Sequence, residues 1–331
     1  MNRIPFEPAL LEDAALSVAA EVHDSFRTDV IAGLSQPQKT LPCKYFYDEH
    51  GAQLFDAICR TPEYYPTRTE IALLRHHASD IAALAGPGAH LIELGSGSGV
   101  KARILLDALE SPRSYVPVDI SAVGLYAEAA SLQLSYPHLA VTPVYADFTR
   151  PFTLPSACDK GRKVSFFPGS TIGNFTPEEA DAFLRRTAKM LGRDGLLVVG
   201  VDLKKNKRLL DDAYNDAGGV TAAFNLNILR RINRELRANL DLSAFTHCAH
   251  YNAARSCVEM HIYSLAFQSV RVDGHLCSFA PDESIHTENS HKYAVAEFQA
   301  LAHESGFSPV QVWMDEARLF SVHCLAITST N

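Results

Sequence analysis

Short apolar runs alternate with helix-like stretches from Gly86 to about Leu203, and this alternation limits the folds that the chain can adopt. The run HLIELGSGSG precedes the amphipathic VKARILLDALE, and SYVPVDIS precedes AVGLYAEAASLQL. The runs KVSFFPGSTIGN and DGLLVVGVDL flank TPEEADAFLRRTAKML, and VTPVYADF adds a further strand candidate. Apolar runs separated by helices are typical of parallel strands buried on both faces. The pattern predicts an α/β fold with a doubly wound, Rossmann-like sheet.

Two other parts of the chain extend this prediction. The segment SPVQVWMDEARLFSVHCLAIT predicts two C-terminal strands around an acidic turn, after a helix that ends on Gly306. Residues 1–68 and 205–292 do not follow the alternation and predict a second, smaller α+β lobe made from two separated segments. The sheet domain then comprises residues 69–204 and 293–331. We expect the lobe to cover the carboxyl ends of the strands, where ligands bind in such sheets.

Composition and charge exclude several classes of partner. The 331 residues carry a net charge of −8, whereas a protein that neutralises phosphates needs an excess of lysine and arginine. The longest apolar run, LLVVGV, is far shorter than the roughly twenty residues that span a bilayer. The N-terminus lacks a signal-peptide pattern, and seven cysteines without repeated spacing do not predict a disulfide framework. We expect a cytoplasmic monomer with no nucleic-acid or membrane partner.

The stretch ELGSGSGVK places three glycines between an apolar run and a predicted helix, an arrangement that several nucleotide-like ligands use. A dinucleotide fingerprint would have a third glycine where this chain has Val100. A phosphate-binding P-loop would place its lysine farther from the glycines than Lys101 and follow it with serine or threonine. Glu93 would repel a pyrophosphate and suits a ligand that carries positive charge. Both phosphate interpretations are therefore weakened.

Acidic and aromatic residues follow the next two strand candidates. Asp119 ends the run VPVDIS, where an acid can accept hydrogen bonds from ribose hydroxyls. The motif YADF supplies Asp147 for an adenine amino group and Phe148 for stacking against the ring. Together with the glycine loop, these residues fit S-adenosylmethionine, which has a ribose, an adenine and a sulfonium but no phosphate. A nicotinamide dinucleotide is the alternative that Val100 opposes.

Six blocks of sequence occur in order between about residue 40 and the C-terminus: KYFYDEHGAQLFDAI, PEYYPTRTE, LIELGSGSGVKAR, FPGSTIGNF, DDAYNDAGGVTAAFNLNIL and HTENSHKY. Together they resemble the histidine Nα-methyltransferases of ergothioneine biosynthesis. Those enzymes convert L-histidine to its trimethylated betaine, hercynine, with three molecules of S-adenosylmethionine. The resemblance implies a class I methyltransferase sheet, S-adenosylmethionine as methyl donor and L-histidine as substrate.

The resemblance also implies which residues bind the two molecules. Residues implied to contact the cofactor are Tyr64, Gly95, Lys101, Asp119, Asp147 and Phe148. Residues implied to contact the substrate are Tyr47, Tyr64, Gly169, Asn174, Tyr214, Thr221, Met260, Glu288 and Ser290. Within the second set, Asn174 and Tyr214 would bind the α-carboxylate, Glu288 and Ser290 the imidazole, and Tyr47 would lie near the reacting amine.

Methyl transfer is an in-line displacement, so orientation of a neutral amine dominates its rate. Tyr47 is the residue expected to take part in catalysis, by orienting the amine and relaying its proton. A phenol with an ordinary pKa of about 10 is too weak a base at neutral pH to do more. Tyrosine faces also attract quaternary ammonium groups, which would help the site retain methylated intermediates.

Other interpretations of these residues remain open from the sequence. An enzyme of the same family that methylates another amine, such as a tryptophan derivative, would use the same chemistry on a different substrate. A non-catalytic binding protein would retain only the binding site. Asn174 could simply cap the helix that starts near Thr176, and Glu288 could be a solvated surface acid. We expect no metal, because the following residues match no standard zinc spacing: His247, Cys248, His250, Cys257 and His261.

Overall fold

The computed structural model describes residues 24–328. Parts of the predicted segments 1–68 and 293–331 lie outside the described residues, as does the N-terminal stretch for which a signal peptide was not expected. Among the described residues, none of the helices has the length and apolar character needed to cross a membrane.

The chain forms two compact units. The smaller unit contains the described part of Met1–Asp48, with Ala222–Cys248 and His261–Glu288. The larger unit contains Glu49–Thr221, Ala249–Met260 and the described part of Asn289–Asn331. The domain boundaries expected from the sequence stay a prediction.

The secondary structure alternates as the sequence pattern indicates. The strands are β1 (Lys39–Thr40), β2 (His90–Leu94), β3 (Ser114–Asp119), β4 (Ala140–Val141), β5 (Val144–Tyr145), β6 (Lys163–Phe167), β7 (Leu196–Asp202), β8 (Phe245–Asn252), β9 (Cys257–Ser264), β10 (Gln268–Val272), β11 (His275–Phe279), β12 (Ser284–His291), β13 (Phe307–Met314) and β14 (Phe320–Ile327). The helices are α1 (24–34), α2 (Glu49–Ile58), α3 (Tyr65–Ala85), α4 (Val100–Ala108), α5 (Ala122–Ser135), α6 (Pro177–Leu191), α7 (Lys207–Tyr214), α8 (Val220–Glu235) and α9 (Val295–Glu304).

The main sheet lies in the larger unit and has the strand order β13-β14-β7-β6-β2-β3-β4, with β5 also paired to β3. Strands β7, β6, β2, β3, β4 and β5 are parallel to one another, whereas β14 is antiparallel to both of its neighbours, β13 and β7. The predicted doubly wound sheet and its C-terminal hairpin are therefore confirmed. The strand expected over VTPVYADF is split into β4 and β5 around Pro143, because proline has no N–H to donate to a ladder.

Alternate residues of the central strands face two separate apolar cores, which explains why these strands are apolar throughout. Leu91 and Tyr115 belong to the core that also contains Leu73 of α3 and Leu105 of α4. Their neighbours Ile92 and Val116 belong to the opposite core, with residues of α6 and α9. Because side chains of a strand alternate between faces, each buried strand contributes to both cores. This sheet holds the loops at its carboxyl edge in place.

In the smaller unit, β10 and β11 form an antiparallel hairpin, and β1 pairs in parallel with residues Ile285 and His286 of β12. A four-stranded sheet has the order β1-β12-β9-β8. Helix α8 covers the segment AAFNLNILRRINREL that the sequence predicts to be helical.

Candidate active site

The carboxyl ends of β2, β3, β6 and β7 lie at one edge of the main sheet, because these strands are parallel and adjacent. Polar loops follow each of them. The glycine loop follows β2, Asp119 ends β3, the turn with Gly169 follows β6, and Asp202 ends β7. Ligands of open α/β sheets bind at this edge.

The glycine loop adopts a backbone that other residues rarely take. Gly95 and Gly99 have φ angles of +77° and +65°, and Gly99 immediately precedes α4. A Cβ atom at Gly99 would overlap the side chain of Glu128, which would have to move, and the positive φ disfavours any residue other than glycine. A Cβ at Gly95 would lie 3.5 Å from the ring of Phe148. Two of the predicted cofactor residues therefore lie next to each other.

Asp119 ties the end of β3 to this loop. Its carboxylate accepts a hydrogen bond from the N–H of Ser121 at 2.9 Å and a longer one from the N–H of Gly97 at 3.4 Å. Burial raises the pKa of Asp119, although these backbone N–H groups oppose the shift. The predicted ribose acid and the glycine loop are thus brought together.

Asp147 and Phe148 follow β5. The Asp147 carboxylate accepts hydrogen bonds from the N–H and the hydroxyl of Thr149, which fixes the turn. The Phe148 ring packs edge-on against Phe167, with centroids 5.5 Å apart, and it lines a cavity of about 480 Å³. Leu94, at the end of β2, belongs to the same wall.

Glu93 is buried at the end of β2, next to the glycine loop. Its side chain is 1% exposed and accepts a hydrogen bond from the hydroxyl of Tyr115. Burial raises the pKa of Glu93 to about 8, so most of these carboxyls hold a proton at neutral pH. The charge that was expected to repel a pyrophosphate is therefore largely absent, and the case against phosphate ligands rests on Val100 and Lys101.

We expect the substitution Glu93→Gln to stabilise the protein increasingly as pH rises. The folded-state pKa of Glu93, about 8, exceeds the ordinary 4.5, so the wild type loses stability as pH rises through this window. Glutamine does not titrate and keeps an oxygen for Tyr115. The difference in unfolding free energy between the variant and the wild type, measured by denaturant titration, should grow by roughly 1.4 kcal/mol per pH unit between these two pKa values. The exposed Glu110→Gln is the control, and a pH-independent difference would contradict the prediction.

Lys101 is bound by a residue that was not singled out from the sequence. Its ammonium donates to Oε2 of Glu70 at 2.5 Å, and Glu70 is fully buried in α3. Both oxygens of Glu70 also accept from the N–H of Gly169 at 2.9 Å. One carboxylate therefore connects the first turn of α4 to the turn after β6, and so joins two predicted site residues. Glu70 is part of the block PEYYPTRTE, which is the only signal that could have identified it.

The tyrosines of the block EYYPTR have separate environments. Tyr64 is buried, and its ring lies edge-on to those of Tyr214 and Phe55, with both centroid distances 6.2 Å. Tyr65 donates its hydroxyl to both oxygens of Asp202 at 2.8 and 2.9 Å. Tyr65 is thus a structural residue, whereas Tyr64 lies beside another predicted substrate residue.

A buried network connects Tyr214 and Ser290 to Asp202. Lys292 and Asp202 are fully buried and form an ion pair at 2.7 Å. Lys292 also donates to the hydroxyls of Ser290 at 2.7 Å and Tyr214 at 2.9 Å. Burial alone would raise the pKa of Asp202, but Lys292 and Lys205 outweigh it and hold that pKa below its usual range. Neither Lys292 nor Asp202 was singled out from the sequence.

Three further predicted residues lie in the larger unit. Asn174 ends the 3-10 turn that follows Gly169. It does not cap α6, because Thr176 does so in a capping box with Glu179. Thr221 is buried and donates its N–H to Asp216 at 2.7 Å. Met260 is buried in β9.

Tyr47 and Glu288 belong to the smaller unit. The Tyr47 ring lies edge-on to Phe224, with centroids 5.6 Å apart. The adjacent Asp48 accepts from Asn227 at 2.7 Å and from Arg234 at 2.6 Å, which anchors this turn to α8. Glu288 is half-buried in β12, so it is not a fully solvated surface acid. The roles of both residues stay predictions.

The larger unit has a Rossmann-like parallel sheet with an antiparallel β14, and the family match of the chain makes it a methyltransferase that uses S-adenosylmethionine. Residues 26–327 match the family described as "Histidine-specific methyltransferase, SAM-dependent". The chain belongs to this family, and the resemblance seen in the six blocks is confirmed.

Several known proteins are similar to the chain. It is 41% identical to the histidine N-alpha-methyltransferase of Mycolicibacterium smegmatis, over 90% of this chain and 94% of that protein. The enzyme of the same name from Mycobacterium tuberculosis is 40% identical over 92% and 95%. Ergothioneine biosynthesis protein 1 of Neurospora crassa is 35% identical over 59% of this chain and 23% of its own length. The structure of the CcbJ methyltransferase from Streptomyces caelestis has a TM-score of 0.46 and 17% identity, covering 77% of this chain and 90% of that one.

Proposed function

We propose that this protein transfers three methyl groups from S-adenosylmethionine to the α-amino group of L-histidine and forms hercynine, a step of ergothioneine biosynthesis. The observation that carries the proposal is the family match over residues 26–327, which includes every residue assigned a role below. The names of the relatives support the substrate and the pathway.

The cofactor is assigned to the edge of the main sheet. Asp119 would accept the ribose hydroxyls, the backbone at Gly95 would approach the nucleoside, and Phe148 with Asp147 would hold the adenine. Lys101, fixed by Glu70, would lie beside the amino-acid part of the cofactor. A sulfonium methyl group is itself the electrophile, so we propose that the reaction uses no metal.

The substrate is assigned to the residues that surround Tyr64 and Tyr214. Asn174 and Tyr214 would bind the α-carboxylate, and Gly169, Thr221 and Met260 would form the wall of the site. The amine must be neutral to attack, and the adjacent sulfonium charge favours loss of its proton. Tyr47 would orient the amine and relay the proton. The face of Tyr64 would attract the methylated ammonium, by roughly 0.5–2 kcal/mol.

The proposed function is tested by mass spectrometry of histidine incubated with the protein and S-adenosylmethionine. We expect the histidine mass to rise by three methyl groups while S-adenosylhomocysteine accumulates. A panel of other amino acids and tryptophan derivatives serves as the comparison. Methylation of another amine in preference to histidine, or no methylation of any, would refute the proposal.

We expect Glu288→Gln to lower kcat/KM for histidine by about tenfold or more, because the imidazole N–H that is proposed to bind Glu288 would lose its charged acceptor. The dissociation constant of S-adenosylhomocysteine should not change, since Glu288 is assigned to the imidazole alone. The exposed Glu316→Gln provides the matched control for removal of one carboxylate. Histidine kinetics equal to those of the wild type would remove Glu288 from this role.

We also propose a cytoplasmic monomer without nucleic-acid or membrane partners. The net charge of −8 supports the first exclusion and the short apolar runs support the second. Size-exclusion chromatography with light scattering tests the monomer, and a mass twice that of one chain would contradict it.

A further inference from the structure

The cavity of about 480 Å³ beside Phe148 extends beyond the place assigned to the cofactor. Leu94 and Phe148 line it at the carboxyl edge of the sheet, where the adenine is proposed to bind. Lys163, the first residue of β6, lines it as well. Because Lys163 pairs with His90, it is level with the first residue of β2, whereas Leu94 is the last. At about 3.3 Å per residue, these two parts of the wall are roughly 13 Å apart along the strands.

The wall of the cavity combines apolar and basic side chains. Phe152, Leu154 and Met190 pack against the apolar core on the α6 side of the sheet and supply the apolar part. The charged residues of the wall are four cations and one acid: Arg150, Lys163, Arg186, Lys189 and Asp159. Positive charge is therefore in excess here, although the chain as a whole has a net charge of −8. Such a wall suits a molecule that has an apolar body and a negative charge.

Arg186 of α6 gives this interpretation its main support. Its Nε atom is buried and has no hydrogen-bond acceptor among residues 24–328, and Arg186 forms no ion pair within that range. A guanidinium that is removed from water is unfavourable unless it has an acceptor, and a carboxylate or a phosphate can accept from two of its N–H groups. Lys189, three residues further along the same side of the helix, also has no carboxylate partner in the part of the chain that the structure describes.

Two further donors line the cavity. Thr187 is 3% exposed, and its hydroxyl forms no hydrogen bond with the described residues. Lys163 donates one hydrogen to the carbonyl of Met190 at 3.3 Å, and its ammonium has two others. Arg150 contributes less, because its side chain is 66% exposed and lies 4.0 Å from the carboxylate of Asp147. The donors that can hold an anion therefore lie on α6 and at the start of β6.

We propose that this cavity is a binding site for a small organic anion. A phosphate or carboxylate head would bind Arg186 and Thr187, and an apolar ring or chain would lie against Phe152 and Met190. Arginine suits this role because its planar guanidinium binds the oxygens of either head group in pairs. The volume of the cavity lies within the range of small-molecule sites, about 300–1,000 Å³. The site is additional to those of the cofactor and the amine, and it does not depend on which amine is methylated.

Calorimetric titration of the full-length protein with phenyl phosphate tests the proposal. Saturating S-adenosylhomocysteine is present, so that the cofactor site is filled. We expect a dissociation constant of about 1 mM or tighter, and at least about tenfold weaker binding of benzyl alcohol, which has the ring but no charge. Benzoate is titrated in parallel, and the tighter of the two anions identifies the head group. No binding of either anion at about 10 mM, or equal binding of benzyl alcohol, would overturn the proposal.

Two adjacent arginines of α6 provide the variant and its matched control. Arg186→Met removes the buried guanidinium and keeps an apolar side chain, so binding of phenyl phosphate should weaken by about tenfold or more. Arg185 is 57% exposed and pairs with Asp181 at 2.9 Å. It does not line the cavity, and the Arg185→Met variant should bind within about twofold of the wild type. Equal affinity of Arg186→Met and the wild type would contradict the assignment of the head group to Arg186.

The methionine methyl groups of the wild-type protein, labelled with ¹³C, report where phenyl phosphate binds and require no folded Arg186 variant. The chain has four methionines. Met190 lines the cavity, whereas Met260 is assigned to the amine site. We expect the Met190 signal, identified by its loss in Met190→Leu, to shift with the same saturation curve as the calorimetric titration, while the Met260 signal stays in place. A shift of Met260 with Met190 unchanged would put the probe in the amine site and overturn the proposal.

Discussion

Replacing Glu70 by alanine is expected to lower the free energy of unfolding by about 3 kcal/mol and to weaken S-adenosylhomocysteine binding by about tenfold or more. The substitution leaves the partly buried N–H of Gly169 without its acceptor and removes the partner of Lys101, whose side chain is 17% exposed. Both losses occur where the cofactor is proposed to bind. Denaturant unfolding and calorimetric titration measure the two effects.

Asp80 provides the control on the same helix. Its side chain is 61% exposed and pairs with His77 at 2.9 Å, so Asp80→Ala should change stability by less than about 0.5 kcal/mol. A Glu70→Ala variant as stable as Asp80→Ala would show that Glu70 does not stabilise this edge of the sheet. Unchanged cofactor affinity would separate Glu70 from the site. The double variant Glu70→Ala, Lys101→Met should lose less stability than the sum of the two single changes.

The fold was predictable because its signals are local. Buried strands such as β7 are apolar up to their last residue, and the helices between them carry their own start and stop residues, such as Thr176 and Gly192 of α6. These patterns depend on neighbours within a few residues. Rules for parallel sheets then placed Asp119 at the functional edge without any knowledge of distant contacts.

The charged residues that hold the site in place could not be identified in this way. Glu70 acts on Lys101, 31 residues away, and on Gly169, 99 residues away. In sequence it is one acid in a helix, and most such acids are solvated. The same holds for Asp202 and Lys292, because their ion pair joins the end of β7 to the residue after β12, which is distant in the sequence. The role of a charged residue depends on how deeply it is buried and on which residue it contacts. Both are properties of the tertiary structure.

Glu93 illustrates the opposite error. Its position before the glycine loop was correctly recognised, but its charge was inferred from its residue type. The buried environment beside Tyr115 raises its pKa to about 8 and so changes the species present at neutral pH. Two buried carboxyl groups thus differ in their pKa, because two lysines beside Asp202 outweigh the effect of burial, whereas the burial of Glu93 outweighs its hydrogen bond from Tyr115.

Removal of Asp202 is expected to have the other large effect, because it leaves Lys292 fully buried without a counter-ion. We expect Asp202→Ala to lose about 3–5 kcal/mol of unfolding free energy at about pH 6. Without Asp202, burial lowers the pKa of Lys292 below its usual 10.5. The folded variant then binds fewer protons than the unfolded chain at alkaline pH, so its deficit relative to the wild type should shrink as pH rises towards about 9.

The comparison with the wild type at each pH is needed because Glu93 and Lys205 also titrate in this range. Burial lowers the pKa of Lys205 to about 8 in the wild type, and loss of Asp202, which opposes that shift, adds to the same trend in the variant. The control is Asp212→Ala, since Asp212 is 55% exposed and pairs loosely with Arg208 at 3.7 Å. It should change stability by less than about 0.5 kcal/mol at either pH. A deficit for Asp202→Ala that stays constant between the two pH values would mean that Lys292 reaches solvent or another acceptor, and the stabilising role assigned to the ion pair would be wrong.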